Sequence, residues 1–323
     1  MHGRGDFSLN DLIQINADER YRLHWKESLS PATFRAYKGQ MARFSAWCSE
    51  NGVSAYPAAP DSISAYIDCM RNDGKSLSTI EQAVAALATV HRAGGFEDPT
   101  KNIRVTVALK AAVRALGRAQ RAKSALLIDD IALILSYIPE DSFKGLRDRA
   151  LLSTGFMGGF RRSELSALRV NDLEKTKDKH GRTAYLVHIR HSKTDQAGKG
   201  MTKALFHTRS VDAVALLENW IMAAGLAGDD SVFPRMYRGN HIDPRKGLTG
   251  DNIAEIVRSR AHAAGIDGDI AAHSLRRGFV TSALAAGATE RSVMHQTGHK
   301  STAVLRAYQE RQDALDDNAA SIF

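Results

Sequence analysis

Cysteine is nearly absent from this sequence: Cys48 and Cys69 are the only two in a chain of 323 residues. Two thiols cannot build a disulfide framework or a zinc site made mainly of thiolates, and they read as core thiols in a reducing compartment. No run of eighteen apolar residues occurs, which excludes a helical membrane span. The opening MHGRGDFSLNDLIQ lacks the apolar stretch of a signal peptide, so a cytoplasmic, DNA-associated protein of bacterial, phage or plasmid origin is the expectation. No carboxylate cluster suggests a metal site, and no G-x-x-x-x-G-K-[ST] suggests nucleotide hydrolysis. Neither a metal nor a cofactor is expected. Internal repeats and low-complexity tracts are also missing.

What is there is ordinary in bulk, with 43% hydrophobic and 25% charged residues. At roughly 100–200 residues per domain the length suggests two domains. Acidic residues are the scarcer charge, 36 against 44 Lys and Arg, giving +8 at pH 7. A basic protein of this size suits a polyanionic partner. Residues 101–123 hold seven basic residues and no acidic one. Within them Lys110, Arg114, Arg118 and Arg121 fall at i, i+4, i+8 and i+11, one helical stripe that runs toward Lys123. It reads as a phosphate-tracking face, with a merely solvated basic face as the alternative.

The first 25 residues are polar and weakly patterned and read as a tail. Ser30-Pro31 opens a helix whose Phe34, Tyr37, Met41, Phe44 and Trp47 recur at three and four. Asp61 is the expected cap of a second helix, Ser78 starts a third, and a fourth runs from Asn102 to about Gln120. The pattern restarts near Ala125. Thr183–His191 alternates and Met201–Phe206 can pair with it, a β-hairpin among helices. Helices are expected again over 211–224, 249–264, 273–286, 289–297 and 301–312.

Two segments carry candidate chemistry. Arg161 and Glu164 open a helix after the Gly158-Gly159 turn, where backbone amides favour an anion and a guanidinium adds a two-pronged donor. A simple Arg–Glu capping pair is the alternative. His273 and Arg276 then share a helix face at i, i+3, followed by Gly298-His299 and, nine residues after His299, Tyr308. A phosphodiester needs a nucleophile, charge neutralisation and a proton for the leaving oxygen. Tyr308 offers a phenolate, although with a free pKa of about 10 only ~0.1% is ionised at neutral pH. Arg161 and Arg276 can clamp the non-bridging oxygens. His273 suits proton transfer near neutrality.

This constellation resembles the tyrosine recombinases of the phage-integrase type, nearest their Cre-like members. The pattern is Arg with an acidic residue three later, a hairpin Lys, H-x-x-R, G-(H/W), then a tyrosine. It is met in order by Arg161 with Glu164, Lys193, His273 with Arg276, Gly298-His299 and Tyr308. Lys193 in Ser-Lys-Thr fits the hairpin lysine best, with Lys199 as runner-up. His299 departs from the tryptophan of Cre-like members but agrees with the wider family.

The resemblance implies a mainly α fold. An all-α, SAM-like core-binding domain over 26–118 and a linker over 119–125 precede an α+β catalytic domain over 126–323 with a small antiparallel sheet, the whole a C-shaped clamp on DNA. It implies double-stranded DNA with a specific recombination site as partner, a homotetramer on synapsed DNA, and a Holliday junction reached through a 3′-phosphotyrosine. Lys193 would protonate the leaving 5′ oxygen and His299 would hydrogen-bond the phosphate. Thr33, Arg35 and Lys38, then Ser78, Thr79 and Gln82, then Gly250, Asp251 and Asn252 match groove-facing positions. Asp251 could accept from cytosine and Gln82 could pair with adenine. The apolar residues of Asp313–Phe323 suggest a helix that docks on a neighbour in trans. A monomeric type IB topoisomerase and a decayed DNA-binding regulator are the alternatives.

Overall fold

Ser30 and Pro31 begin a helix as their chemistry requires: the Ser30 hydroxyl accepts from the Thr33 N–H at 3.1 Å, and Pro31 sits where no N–H is needed. In the computed structural model of the chain, residues 19–117, 124–190, 200–299, 301–302 and 305 are described. Two compact units divide between Arg121 and Ala122.

The first unit is all helical: α1 (Glu19–Ser28), α2 (Pro31–Glu50), α3 (Pro60–Asn72), α4 (Leu77–Ala93) and α5 (Ile103–Leu116). Met41, Phe44 and Cys48 of α2 pack with Ile63 and Ile67 of α3, Ile80, Leu87 and Val90 of α4, and Val105 of α5. Both cysteines are free, and burial pushes the Cys48 thiol up to about 11. Helix α1 falls partly within the stretch read as a tail; Trp25 anchors it edge-on against Phe34 at 6.2 Å.

Two expected caps move. Pro60 takes the first turn of α3, so Ala59 is its cap and Asp61 lies inside. Ser76, not Ser78, caps α4 by accepting from the Thr79 N–H. Helix α5 ends at Leu116, short of Gln120, because Gly117 turns the chain with φ +69°. The basic stripe is therefore not continuous on this helix. Lys110 and Arg114 are exposed on α5, while Arg118, Arg121 and Lys123 lie outside the described residues.

Early in the second unit the N–H groups of Ser124 and Leu126 donate to the carbonyls of Asp269 and Ser274. Helices α6 (Ile128–Ser136), α7 (Phe143–Met157) and α8 (Arg162–Ala167) lead to a sheet of order β1-β2-β3: Leu173–Lys177, Thr183–Ile189 and Met201–Phe206, all antiparallel. The expected hairpin is β2–β3; the edge strand β1 is additional. Then come α9 (Ala213–Ala224), a two-stranded pair β4 (Pro234–Met236) and β5 (Ile242–Gly247), α10 (Gly250–Ala263), α11 (Ala272–Ala285) and α12 (Glu290–Thr297).

Helix α7 is central, with Ala150, Leu151, Leu152 and Phe156 almost fully buried in a core shared with Trp220 and Leu275. Its Asp148 binds Arg147 beside it and Arg260 of α10, a buried tie between the two helices. Of the helix expected over 301–312, only Ser301, Thr302 and Leu305 are described. No helix among the described residues is long and apolar enough to cross a membrane.

Candidate active site

The site is built around the turn between α7 and α8. Gly159 has φ +52°, a left-handed conformation a side chain would strain. A Cβ there would lie 2.9 Å from the Thr297 methyl, so glycine lets this turn approach the end of α12. Arg161 then caps α8. Its N–H donates to Glu164 Oε2 at 3.0 Å, and its Nη1 donates to Oε1 at 2.7 Å. Its Nη2 reaches the Gly298 carbonyl at 3.2 Å. The capping pair of the sequence reading is present, and the same contacts fix the direction of the guanidinium: Glu164 caps the helix and holds Arg161 Nη1.

Arg276 comes from α11, one turn after His273, and is 2% exposed. Its Nη1 donates to the carbonyls of Gly159 (2.8 Å) and Thr297 (2.6 Å). Both arginines are therefore anchored to the same two segments, the 159–164 turn and residues 297–298. The Thr297 hydroxyl donates to the Val293 carbonyl at 2.6 Å, so toward His299 it accepts from Nδ1–H at 2.9 Å. That fixes the tautomer and leaves His299 Nε2 with a lone pair. Burial and then the charges of Arg276, Arg161 and His273 pull His299 down to about 4, so it is neutral at pH 7. His273 is also held below its ordinary value, by surrounding protein and, more tellingly for a side chain this exposed, by Arg276, Arg277 and Arg161.

One residue here escaped the sequence reading. Lys203, on β3 opposite Val187, is 1% exposed. Its Nζ donates to the carbonyls of Gly158 (3.0 Å) and Gly159 (2.9 Å), lies 3.0 Å from Glu164 Oε2 and sits 4.4 Å from the centre of the Phe160 ring. Burial drives its pKa below the usual lysine value against the pull of Glu164. Burial would raise Glu164, but Lys203 and the donors of Arg161 outweigh it and keep the carboxylate ionised. The only sequence signal for Lys203 is a lysine on the inward phase of a strand with buried Leu205 two residues on. Arg161, Arg276 and Lys203 against Glu164 leave a net positive site, suited to an anion such as a phosphodiester.

Lys193, Lys199 and Tyr308 lie outside the described residues. Leu305, three residues before Tyr308 in the sequence, is fully buried against Val280 of α11 and Val293 of α12. In the first unit Thr33, Arg35 and Lys38 share the start of α2, and Ser78, Thr79 and Gln82 the start of α4. Gly250, Asp251 and Asn252 open α10, where Thr249 caps and the Asn252 side-chain Oδ1 accepts from the Thr249 hydroxyl at 2.8 Å. Asp251 pairs with Arg162 at 3.0 Å on an exposed face. Asn252 is thus engaged in its helix cap and Asp251 in an ion pair.

Residues 125–314 match the phage integrase family, and residues 19–93 match that family's N-terminal SAM-like domain. The chain belongs to the phage integrase family. It is a site-specific tyrosine recombinase, one of the enzymes that cleave and rejoin DNA. An integrase/recombinase XerD homologue of Selenomonas ruminantium is 33% identical over 98% of this chain and 93% of that protein. The Cre recombinase of Escherichia phage P1 is 26% identical over 68% of this chain and 62% of its own length. Among solved structures, XerH bound to its palindromic difH substrate in a post-cleavage complex superposes with TM-score 0.67 at 17% identity, covering 96% of this chain and 90% of that one. A lambda integrase tetramer on a Holliday junction gives 0.60 at 16% identity over 92% and 79%. The recombinase is therefore mainly helical with small antiparallel sheets, as its sequence suggests.

Proposed function

We propose that this recombinase breaks one strand of a specific duplex site by attack of the Tyr308 hydroxyl on phosphorus. The phosphotyrosyl P–O bond forms as the bond to the 5′ oxygen breaks, so the energy stays in the covalent link for rejoining. The observation that supports this most is the pair of guanidinium groups held side by side on the same segments, by the Gly159, Thr297 and Gly298 carbonyls and Glu164. Arg161 and Arg276 would take the charge that gathers on the non-bridging oxygens. Lys193 would give the departing oxygen its proton. His273, neutral at pH 7 on the open side of the site, would move the phenol proton. His299, with its lone pair on Nε2, donates to the phosphate only once protonated, which a bound phosphate's negative charge favours.

A duplex drawn from the DNA flanking its own gene and nicked next to the scissile position tests this. Cleavage then releases a short fragment and traps the enzyme. A denaturant-stable adduct on the 3′ end is expected; free 3′ phosphate with no adduct refutes the covalent route.

The same reading extends to a homotetramer in which residues 313–323 dock on a neighbour. The catalytic unit carries an apolar groove of about 240 Å³ lined by Met157, Phe206, Phe279, Ala283 and Val293, which suits Leu315, Ile322 and Phe323. Deleting 313–323 is expected to leave single-site binding within about threefold while abolishing synapsis at the same protein concentration. Unchanged cooperativity and recombination in gel shifts count against the docking.

Lys110 and Arg114, both exposed on α5, support a phosphate-tracking role for that helix. Affinity for duplex should fall steeply with salt, and Lys110→Ala with Arg114→Ala should cut the log–log salt slope by about 2, roughly one per phosphate contact. An unaltered slope removes α5 from the interface.

A further inference from the structure

The core of the first unit buries an amide that its packing does not need. Gln40 of α2 is 2% exposed between the core positions around Met41 and Phe44. Its Oε1 has no hydrogen-bond partner among the described residues. Its Nε2 donates to Oε1 of Gln82 at 2.9 Å, across to α4. His91, the other fully buried polar residue of these helices, is different. One ring nitrogen accepts from the Ala58 N–H at 2.9 Å and the other pairs with the Leu87 carbonyl at 2.7 Å. His91 is satisfied and structural. Gln40 leaves an acceptor unmade in the core, a cost that methionine of similar size would not incur.

What Gln40 does make is a tether on an exposed side chain. Gln82 follows Ser78 and Thr79 by one turn on the outward face of α4. An unrestrained glutamine turns about three bonds and can exchange its donor and acceptor ends. Two-pronged recognition of adenine needs both ends placed at once, NH2 toward N7 and C=O toward the N6 amine. With one lone pair of Oε1 held by Gln40, the Gln82 amide keeps one plane and one orientation, its Nε2 and second lone pair left for a base edge.

We propose that Gln40 is a specificity-positioning residue, fixing the Gln82 amide so that α4 reads an adenine in the major groove. This rests on the reading of α2 and α4 as groove-facing helices. The geometry also means that the selectivity is set from inside the core, where a scan of surface residues would not find it.

The test uses the full-length protein and a pool of duplexes randomised across the half-site, with bound sequences counted for wild type, Gln40→Met, Gln82→Ala and the double variant. Gln82→Ala is expected to erase an adenine preference at one position. Gln40→Met should weaken that preference about tenfold, within the range carried by a bidentate base contact, and leave every other position unchanged. The double variant should match Gln82→Ala alone. Thermal melting should find Gln40→Met at least as stable as wild type. A Gln40→Met profile identical to wild type overturns the proposal. So does a lower melting temperature with a uniform loss of affinity, since that is a packing role. If Gln82→Ala itself alters no position, the groove-facing reading of α4 fails, a result distinct from either.

Discussion

Tyr308→Phe is expected to end strand cleavage, by more than about 10^4-fold, the scale reached when a covalent nucleophile is removed. The substitution takes away one oxygen and keeps the ring. The packing of Leu305 with Val280 and Val293 does not involve that oxygen. Arg161 and Arg276 keep their carbonyl and carboxylate anchors, so the cradle for the phosphate is intact. Binding of the duplex should therefore stay within about threefold, because the contacts that neutralise phosphates are untouched. The measurement is the denaturant-stable adduct on the nicked duplex, read beside a gel shift. An adduct that survives in Tyr308→Phe would falsify the assignment, and the other tyrosines would have to be tried in turn. Loss of binding together with cleavage would mean that Tyr308 holds the DNA or the fold instead.

The lysines separate by the leaving group. If Lys193 protonates the 5′ oxygen, Lys193→Ala should slow cleavage by about 10^2- to 10^4-fold, the usual contribution of a placed acid. Replacing the bridging 5′ oxygen with sulfur removes the need for that proton, since a thiol's pKa near ~8.5 makes thiolate a competent leaving group. Lys193→Ala should then recover most of its rate. Lys199→Ala should be mild on both substrates.

Lys203→Met is expected to be as severe as Lys193→Ala on oxygen, yet without recovery on sulfur. The reason is positional. Lys203 Nζ holds the Gly158 and Gly159 carbonyls and Glu164, and Glu164 in turn aims Arg161. Without that ammonium the buried carboxylate loses one of its cationic partners and the turn loses the donor of two hydrogen bonds. A better leaving group repairs neither. Arg161→Ala should behave in the same way, because the task proposed for it is charge stabilisation. Sulfur rescue of Lys203→Met would instead make Lys203 the acid, and rescue of Lys199→Ala would move the role within the hairpin.

Much of this protein is legible without its structure because local chemistry carries it. Ser30-Pro31 starts a helix wherever it stands, the phase of His273 and Arg276 follows from 3.6 residues per turn, and the alternation in Thr183–Ile189 announces a strand. The short gaps within Arg161–Glu164, His273–Arg276 and His299–Tyr308, taken in that order, carry the resemblance to the family that the comparisons bear out. Other features depend on what comes near. Strand β1 reads Leu-Glu-Lys-Thr-Lys, too polar to signal a strand, and exists because β2 supplies its ladder. Strands β4 and β5 each contain a proline, which argues against a strand in isolation.

Lys203 and Gln40 look like surface residues by type. Tertiary packing drew them inside, one because the Gly158–Gly159 turn and Glu164 supply oxygen partners for a buried ammonium, the other because Gln82 lies across from it. Burial of a polar group depends on partners distant in the chain, here 39 and 42 residues away, and no local pattern encodes them. The sequence by itself determined the family and the order along the chain of the groups proposed for the reaction. Only the tertiary structure decided which buried polar residues hold those groups in place.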